Sequence, residues 1–140
     1  MDRFKFRAWV YDDELGKHKM VDVCKLHPCG DFCHVYVSED DYEYEIESKY
    51  LMQYTGLKDK NGKLIFEGDI ALARECYEVL GFYEIGWDDD YLKYVLYDAY
   101  VSTGHPEYDL GEFDGGELEI IGNRFENPWV DDLTEGAGGE

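Results

Sequence analysis

The sequence is poor in positive charge and in serine, and it has no long hydrophobic run. Of its 140 residues, 33 are Asp or Glu and only 13 are Lys or Arg, so the formal net charge is −20. This scarcity of cations argues against sequence-independent nucleic-acid binding, because phosphate contacts need clustered Lys and Arg. It also argues against docking on an anionic membrane. No stretch approaches the roughly 20 apolar residues of a membrane span, and the charged start of the chain lacks a signal peptide's apolar segment. We therefore expect a cytoplasmic protein with no membrane partner.

The charge is unevenly distributed along the chain. Residues 1–63 contain 10 Lys and Arg with 13 Asp and Glu, a net charge of −3. Residues 64–140 contain 3 Lys and Arg with 20 Asp and Glu, a net charge of −17. The simplest interpretation is solubility through excess charge. The second half could also meet a partner, either as an acidic protein-binding surface or as a mimic of DNA, which presents one charge per roughly 1.7 Å of axis.

The cysteines give a weak metal signal. Cys24, Cys29, Cys33 and His34 lie within 11 residues, which suggests zinc as a runner-up hypothesis. The spacing lacks the paired C-x2-C hooks that surround tetrahedral zinc. If residues 32–37 form a strand, Cys33 and His34 point to opposite faces. We therefore expect a core thiol, a surface imidazole, no metal and no cofactor.

No catalytic motif is present. The sequence contains no nucleophile elbow, no phosphate-binding glycine loop and no dinucleotide fingerprint. Asp31 with Glu47-Ser48-Lys49 imitates the acid…E-x-K pattern of metal-dependent nucleases, but such matches arise by chance in an acidic chain. Asp88-Asp89-Asp90 lacks the calcium loop that wraps an ion, and solvated turn carboxylates explain it better. An enzyme is the least supported class of function.

Alternation with period two dominates the chain and predicts a mainly β fold with little helix. In the first segment, Arg3, Lys5 and Arg7 are expected on an exposed face. Asn61-Gly62 is the strongest turn signal, because both residues tolerate positive φ. Asp88-Asp89-Asp90 is expected to join two strands as a hairpin. Residues 70–80 fit a strand or a helix, with the strand slightly favoured. The remaining strands are expected at residues 32–37, 42–46, 50–54, 64–66, 83–87, 91–97 and 118–121.

The central segment LMQYTGLKDKNGKLIFEGDI, residues 51–70, resembles the signature of the YopX family, proteins of phages and prophages of mainly Gram-positive bacteria. Residues 4–9 are similar to the opening strand of that family, and residues 120–128 to its closing segment. Residues 76–116 match more weakly, and the Cys/His cluster is not part of the family pattern.

The resemblance implies a β-rich fold that contains an SH3-like barrel beside an N-terminal β-rich lobe. It implies one domain over residues 1–130, with the lobe at 1–60 and the barrel part at 61–128. Residues 131–140 are then an acidic, Gly-rich tail. It also implies a phage or prophage origin and the bacterial cytoplasm as the setting. The family has no established activity, so no catalytic residues carry over.

Three functions remain open. The first is a non-enzymatic, acidic accessory module that binds a host or phage protein, and homo-oligomers are compatible with free strand edges. The second is a nucleic-acid mimic that inhibits a host DNA-binding protein. The third, which the charge disfavours, is a nucleic-acid-binding barrel using a basic strip of Arg3, Lys5, Arg7, Lys58, Lys60 and Lys63. Candidate binding residues on the surface are Lys58, Asp59, Lys60, Asp88, Asp89 and Asp90.

Overall fold

A computed structural model describes residues 5–38, 41–100, 105–113 and 117–127, without the side chains of Pro28 and Cys29. Arg3 and the predicted tail at 131–140 lie outside these ranges. The chain forms two compact units, Met1–Tyr54 and Thr55–Glu140. The predicted boundary between lobe and barrel part lies at residues 60 and 61, whereas the two units divide at residues 54 and 55. The turn at Asn61-Gly62 lies in the second unit.

The mainly β prediction is confirmed, since strands make up 64% of the structure and helical turns 6%. Within the described ranges, 3₁₀ turns include Ser48–Tyr50 and Leu110–Glu112. The strands are β1 Phe6–Asp12, β2 Lys17–Val23, β3 Lys25–Cys29, β4 Phe32–Val37, β5 Tyr42–Glu47, β6 Leu51–Lys58, β7 Leu64–Phe66, β8 Asp69–Glu75, β9 Glu78–Asp88, β10 Lys93–Asp98, β11 Tyr108–Asp109 and β12 Leu118–Asn123.

Two antiparallel sheets build the first unit. In one, β1 lies between β2 and the start of β6; in the other, the order is β3-β4-β5. Alternate apolar side chains of both sheets meet in a single core, which the period-two patterning of β1 and β4 predicts. The buried members of that core are Ala8, Val10, Val21, Cys33, Val35, Val37, Tyr44 and Ile46.

The prediction that Arg7 lies on an exposed face is wrong. Ala8 and Val10 enter the core as expected, but Arg7 on the opposite face is only 8% exposed. The reason is that β1 is a central strand whose second face is covered too. Met52 of β6, which lies directly opposite Arg7, is 0% exposed. Alternation therefore identified the two faces of β1 correctly but not the burial of the polar one.

A five-stranded, curled antiparallel sheet dominates the second unit, in the order β11-β10-β9-β8-β12. The end of β6 and β7 flank the turn at Asn61-Gly62, where Gly62 has a φ of 82° as the turn signal predicts. The SH3-like topology of this unit stays a prediction. Its core consists of Ile65, Ala71, Ala73, Tyr83, Ile85, Leu96, Leu110, Phe113, Leu118 and Ile120.

Residues 70–80 form strands joined by a tight turn. β8 ends at Glu75, β9 begins at Glu78, and these two residues pair directly. The two residues between them, Cys76 and Tyr77, both have positive φ, 50° and 70°. That is the geometry of a type I′ hairpin, whose twist matches that of the flanking strands. The hairpin expected at Asp88-Asp89-Asp90 also forms, between β9 and β10.

Candidate functional site

Asp59, a predicted surface residue, is a buried structural clamp. It is 5% exposed, and its carboxylate accepts three main-chain hydrogen bonds. Oδ1 accepts from the N–H groups of Asn61 and Lys63, both at 2.9 Å, and Oδ2 accepts from Ile120 N–H at 2.9 Å. Burial acts to raise the pKa of Asp59, but these hydrogen bonds outweigh it and leave the pKa below its ordinary value. Asp59 thus ties the β6–β7 turn to β12 and offers nothing to a partner.

The other surface candidates of the second unit do not form a common site. Asp88 is 8% exposed, because its Oδ1 accepts the N–H groups of Asp90 and Tyr91 within the turn. Asp89 and Asp90 are exposed, as predicted. Lys58 is exposed as well, while Lys60 Nζ lies 3.4 Å from Glu119. Asp88 is therefore explained by turn formation, as Asp59 is.

The basic strip loses one of its members. Arg7 is buried, whereas Lys5 and Lys63 are exposed. Lys5 belongs to the first unit, and the three turn lysines belong to the second. The nucleic-acid-binding hypothesis stays a prediction.

Two of the runner-up metal ligands, Cys33 and His34, lie on opposite faces of β4. Cys33 is 1% exposed in the core, and His34 lies on the opposite face of β4, as alternation predicts. Cys24 is exposed and the side chain of Cys29 is not described. Within the described ranges, no three His, Cys, Asp or Glu side chains are grouped as metal ligands. The nuclease-like Glu47 faces Lys49 at 3.1 Å in a surface ion pair.

The first unit carries an acidic, tyrosine-lined groove of about 570 Å³. One wall is the end of β1 and the β1–β2 turn, and the other is β5. We call it the β5 groove and define it by its lining residues: Tyr11, Asp12, Asp13, Glu14, Tyr42, Glu43, Tyr44 and Glu45. Five carboxylates and three phenol rings make this surface suitable for a cationic ligand.

The β1–β2 turn is held in place by Asp12. Its Oδ1 accepts the N–H groups of Glu14 at 2.9 Å and Leu15 at 3.1 Å, an Asx-type turn. Its Oδ2 lies 2.8 Å from Lys19 Nζ. The hydrogen bond with Lys19, aided by that of Leu15, lowers the pKa of Asp12. Asp13 and Glu14 at the tip of the turn are exposed, so their charges face the solvent at the mouth of the groove.

Two residues that line the groove, Asp12 and Tyr44, already contact a cation of the chain itself. Besides its contact with Asp12, Lys19 Nζ lies 6.0 Å from the centre of the Tyr44 ring, within cation–π range. The Tyr42 and Tyr44 rings are 4.6 Å apart, and Tyr42 is 53% exposed. Lys19 shows that an ammonium group fits between a carboxylate and a ring here, while the exposed Tyr42 ring is open to a second one.

On the outer face of β5, two glutamates surround His34. Glu43 Oε1 lies 3.1 Å from His34 Nδ1, and Glu45 Oε2 lies 3.7 Å from Nε2. Both glutamates are more than half exposed. They can therefore turn toward a partner's cation at little cost in buried surface.

A second, smaller cavity of about 260 Å³ lies in the second unit. Thr55, Leu57 and Tyr94 line it together with the ion pair of Lys93 and Asp109, whose Nζ and Oδ1 are 2.8 Å apart. At this cavity the charges of Lys93 and Asp109 offset each other.

Together, the fold and the groove define a class of protein: a two-unit antiparallel β protein, strongly acidic, with an anionic, tyrosine-lined groove on its first unit. The chain belongs to the YopX family, since the profile of the family described as "YopX protein" matches residues 5–130. The resemblance of residues 51–70 to this family is thereby confirmed.

Among solved structures, the chain is similar to the crystal structure of protein EF1440 from Enterococcus faecalis. The two share 22% sequence identity with a TM-score of 0.45, over 91% of this chain and 96% of that one. No curated protein matches. In the described ranges, no helix combines the length and apolar character needed to cross a membrane.

Proposed function

We propose that this chain is a non-enzymatic binding module, of phage or prophage origin, that recognises a basic segment of a host or phage protein in the bacterial cytoplasm. The observation that carries this proposal is the β5 groove, where carboxylates and tyrosine rings line one concavity. Lys and Arg side chains gain from both, through charge pairing and through cation–π contact. Tyr is also enriched at protein interfaces.

The groove lies in the first unit, whereas most of the excess negative charge lies in the second half of the sequence. The second half carries most of the net charge, but several of its carboxylates are already engaged in contacts within the chain. Asp69 and Asp88 are buried, and Glu84 and Asp109 face cations of the same unit. A nucleic-acid mimic needs rows of free carboxylates on one face. Mimicry stays a prediction, and the groove supports protein binding more directly.

Binding of a lysine-rich peptide tests the proposal. A short fluorescent peptide in which lysine alternates with valine is titrated with the protein at low salt, and the affinity is read from anisotropy. We expect saturable binding that the double variant Glu43→Gln, Glu45→Gln weakens about tenfold, since two favourable charge pairs are lost.

The matched control is Asp89→Asn, Asp90→Asn, which removes the same charge from an exposed turn of the second unit. We expect this variant to bind within about twofold of the wild type, since the two removed charges act on the peptide only through long-range electrostatics. Equal losses in the two double variants would show that net charge alone attracts the peptide and would refute the groove as the binding site.

A further inference from the structure

The β5 groove runs along the backbone edge of a strand. Successive side chains of a strand point to opposite faces of its sheet. The groove nevertheless contacts four consecutive residues of β5, from Tyr42 to Glu45. A concavity that touches both sets of side chains must follow the edge between the faces. The backbone of β5 itself is therefore part of the groove.

That edge has no strand partner within the described part of the chain. The sheet is three-stranded in the order β3-β4-β5, so β4 takes only one side of β5. β5 pairs with β4 without a register shift from Tyr42 to Glu47. A free edge of this kind is where an extended peptide can add as a further strand.

The ladder also shows which main-chain groups face the groove. Ser48 N–H donates to Asp31 C=O at 2.7 Å, so these two residues are a hydrogen-bonded pair. Such pairs alternate along an antiparallel ladder. Counting back along β5, Ile46 and Tyr44 bond to β4, while the N–H and C=O groups of Glu43 and Glu45 point away from it.

We infer that the β5 edge binds an extended basic segment of the partner as an added β-strand. The inference rests on the proposed function and specifies how the partner is held. The N–H and C=O groups of Glu43 and Glu45 bond the partner's backbone, and the carboxylates of the same residues select Lys or Arg on the neighbouring strand. The partner's side chains at the alternate positions of the added strand then lie toward the rings of Tyr42 and Tyr44.

The same charges disfavour a second copy of the chain as the occupant. Antiparallel pairing of two β5 edges would place glutamates opposite glutamates, which is destabilising. Charged side chains on an edge are a common protection against such self-pairing. A basic strand would instead place Lys or Arg opposite the glutamates of β5. Charge complementarity therefore favours a partner other than a second copy of the chain.

Backbone methylation of the peptide probe separates strand addition from simple charge attraction. Two versions of the lysine–valine peptide carry N-methyl groups on alternate residues, one on the lysines and one on the valines. Side chains and charge stay the same, and the protein is unmodified. Because a strand directs only every second N–H at its neighbour, we expect one version to bind roughly tenfold or more weakly and the other within about threefold.

Each outcome decides a different claim. If both methylated peptides bind as tightly as the parent, or both are weakened equally, strand addition is refuted while groove binding stands. If the parent peptide does not bind, the proposed function fails and the inference fails with it. Size-exclusion chromatography with hydrogen exchange gives the remaining check. A dimer whose Glu43 and Glu45 amides are already protected would show that a second copy occupies the edge.

Discussion

At the residue scale, individual aspartates stabilise several turns of the chain. Asp12, Asp59, Asp69 and Asp88 each accept main-chain N–H groups at a turn. Asp69 is 1% exposed and closes the turn after Phe66 through its Oδ2, at 2.8 Å from Phe66 N–H. Short carboxylate side chains suit this role because they reach amides a few residues away. Part of the acidity of the chain is thus structural.

Removal of the Asp59 carboxylate should destabilise the fold strongly. We expect Asp59→Ala to lower the free energy of unfolding by about 3 kcal/mol, because three main-chain donors lose their acceptor. Asp59→Asn keeps an oxygen for the Asn61 and Lys63 amides but turns a donor toward Ile120, so we expect a loss of about 1–2 kcal/mol. Urea denaturation measures both values. The exposed control Asp89→Ala should change stability by no more than about 0.5 kcal/mol; an equal effect at Asp89 would contradict the clamp.

The contribution of Asp59 should also depend on pH. Its pKa in the folded state lies below the ordinary value of 3.8. A lowered carboxylate pKa stabilises the fold fully above the unfolded-state pKa, and that contribution is lost as the pH falls through the folded-state pKa. The stability difference between wild type and Asp59→Asn should therefore be constant at neutral pH and shrink only below about pH 4. Urea titrations across this range measure it, and a difference that grows in acid would contradict the assignment.

At the scale of elements, the sequence predicts secondary structure wherever apolar and polar residues alternate clearly. β4 covers the predicted residues 32–37, and β5 covers the predicted residues 42–46 and one residue more, because their apolar positions recur at every second residue. The sequence does not predict β2, since this strand starts with three polar residues at 17–19 and has no sustained alternation of apolar and polar residues. β3 escapes because Pro28 interrupts it. Both are paired with a strongly patterned neighbour, and that tertiary partner overrides local preference.

The β8–β9 turn carries strain that a different sequence would remove. Cys76 and Tyr77 adopt positive φ although neither is Gly or Asn, and Tyr77 is 101% exposed. We expect the double variant Cys76→Asn, Tyr77→Gly to raise the free energy of unfolding by about 1 kcal/mol, because these residues favour a type I′ turn. Urea midpoints measure the change, with Tyr77→Ala as the control that removes the ring but not the strain. A double variant less stable than the wild type would contradict this view of the turn.

The candidate groove belongs to the scale of the whole unit, and for that reason the sequence alone does not reveal it. Its walls, residues 11–14 and 42–45, lie about thirty positions apart in the sequence and meet only because two sheets pack together. Each segment had a visible signal: an acidic turn in one, and alternating Tyr and Glu in the other. Neither segment specifies which strand remains unpaired at the edge of its sheet. Pairing order is a non-local property that local patterning does not encode.

The net charge of the whole molecule should make salt act in opposite directions on stability and on binding. With a formal charge of −20, the folded chain repels itself, and screening relieves this repulsion. We expect the melting temperature to rise with added NaCl, as followed by circular dichroism. Over the same range the lysine-rich peptide should bind more weakly, because the same ions screen its attraction to the groove. Peptide affinity that is insensitive to salt would exclude carboxylates as the main attraction.

The most direct test of the central claim is to locate the bound peptide on the protein. In a titration of ¹⁵N-labelled protein with the lysine–valine peptide, followed by amide chemical shifts, we predict the largest changes at residues 11–14 and 42–45. The Glu43 and Glu45 amides should move furthest, because their N–H groups gain a new hydrogen bond. Saturable binding with the main shifts in the second unit, or small shifts spread over both units, would contradict the account.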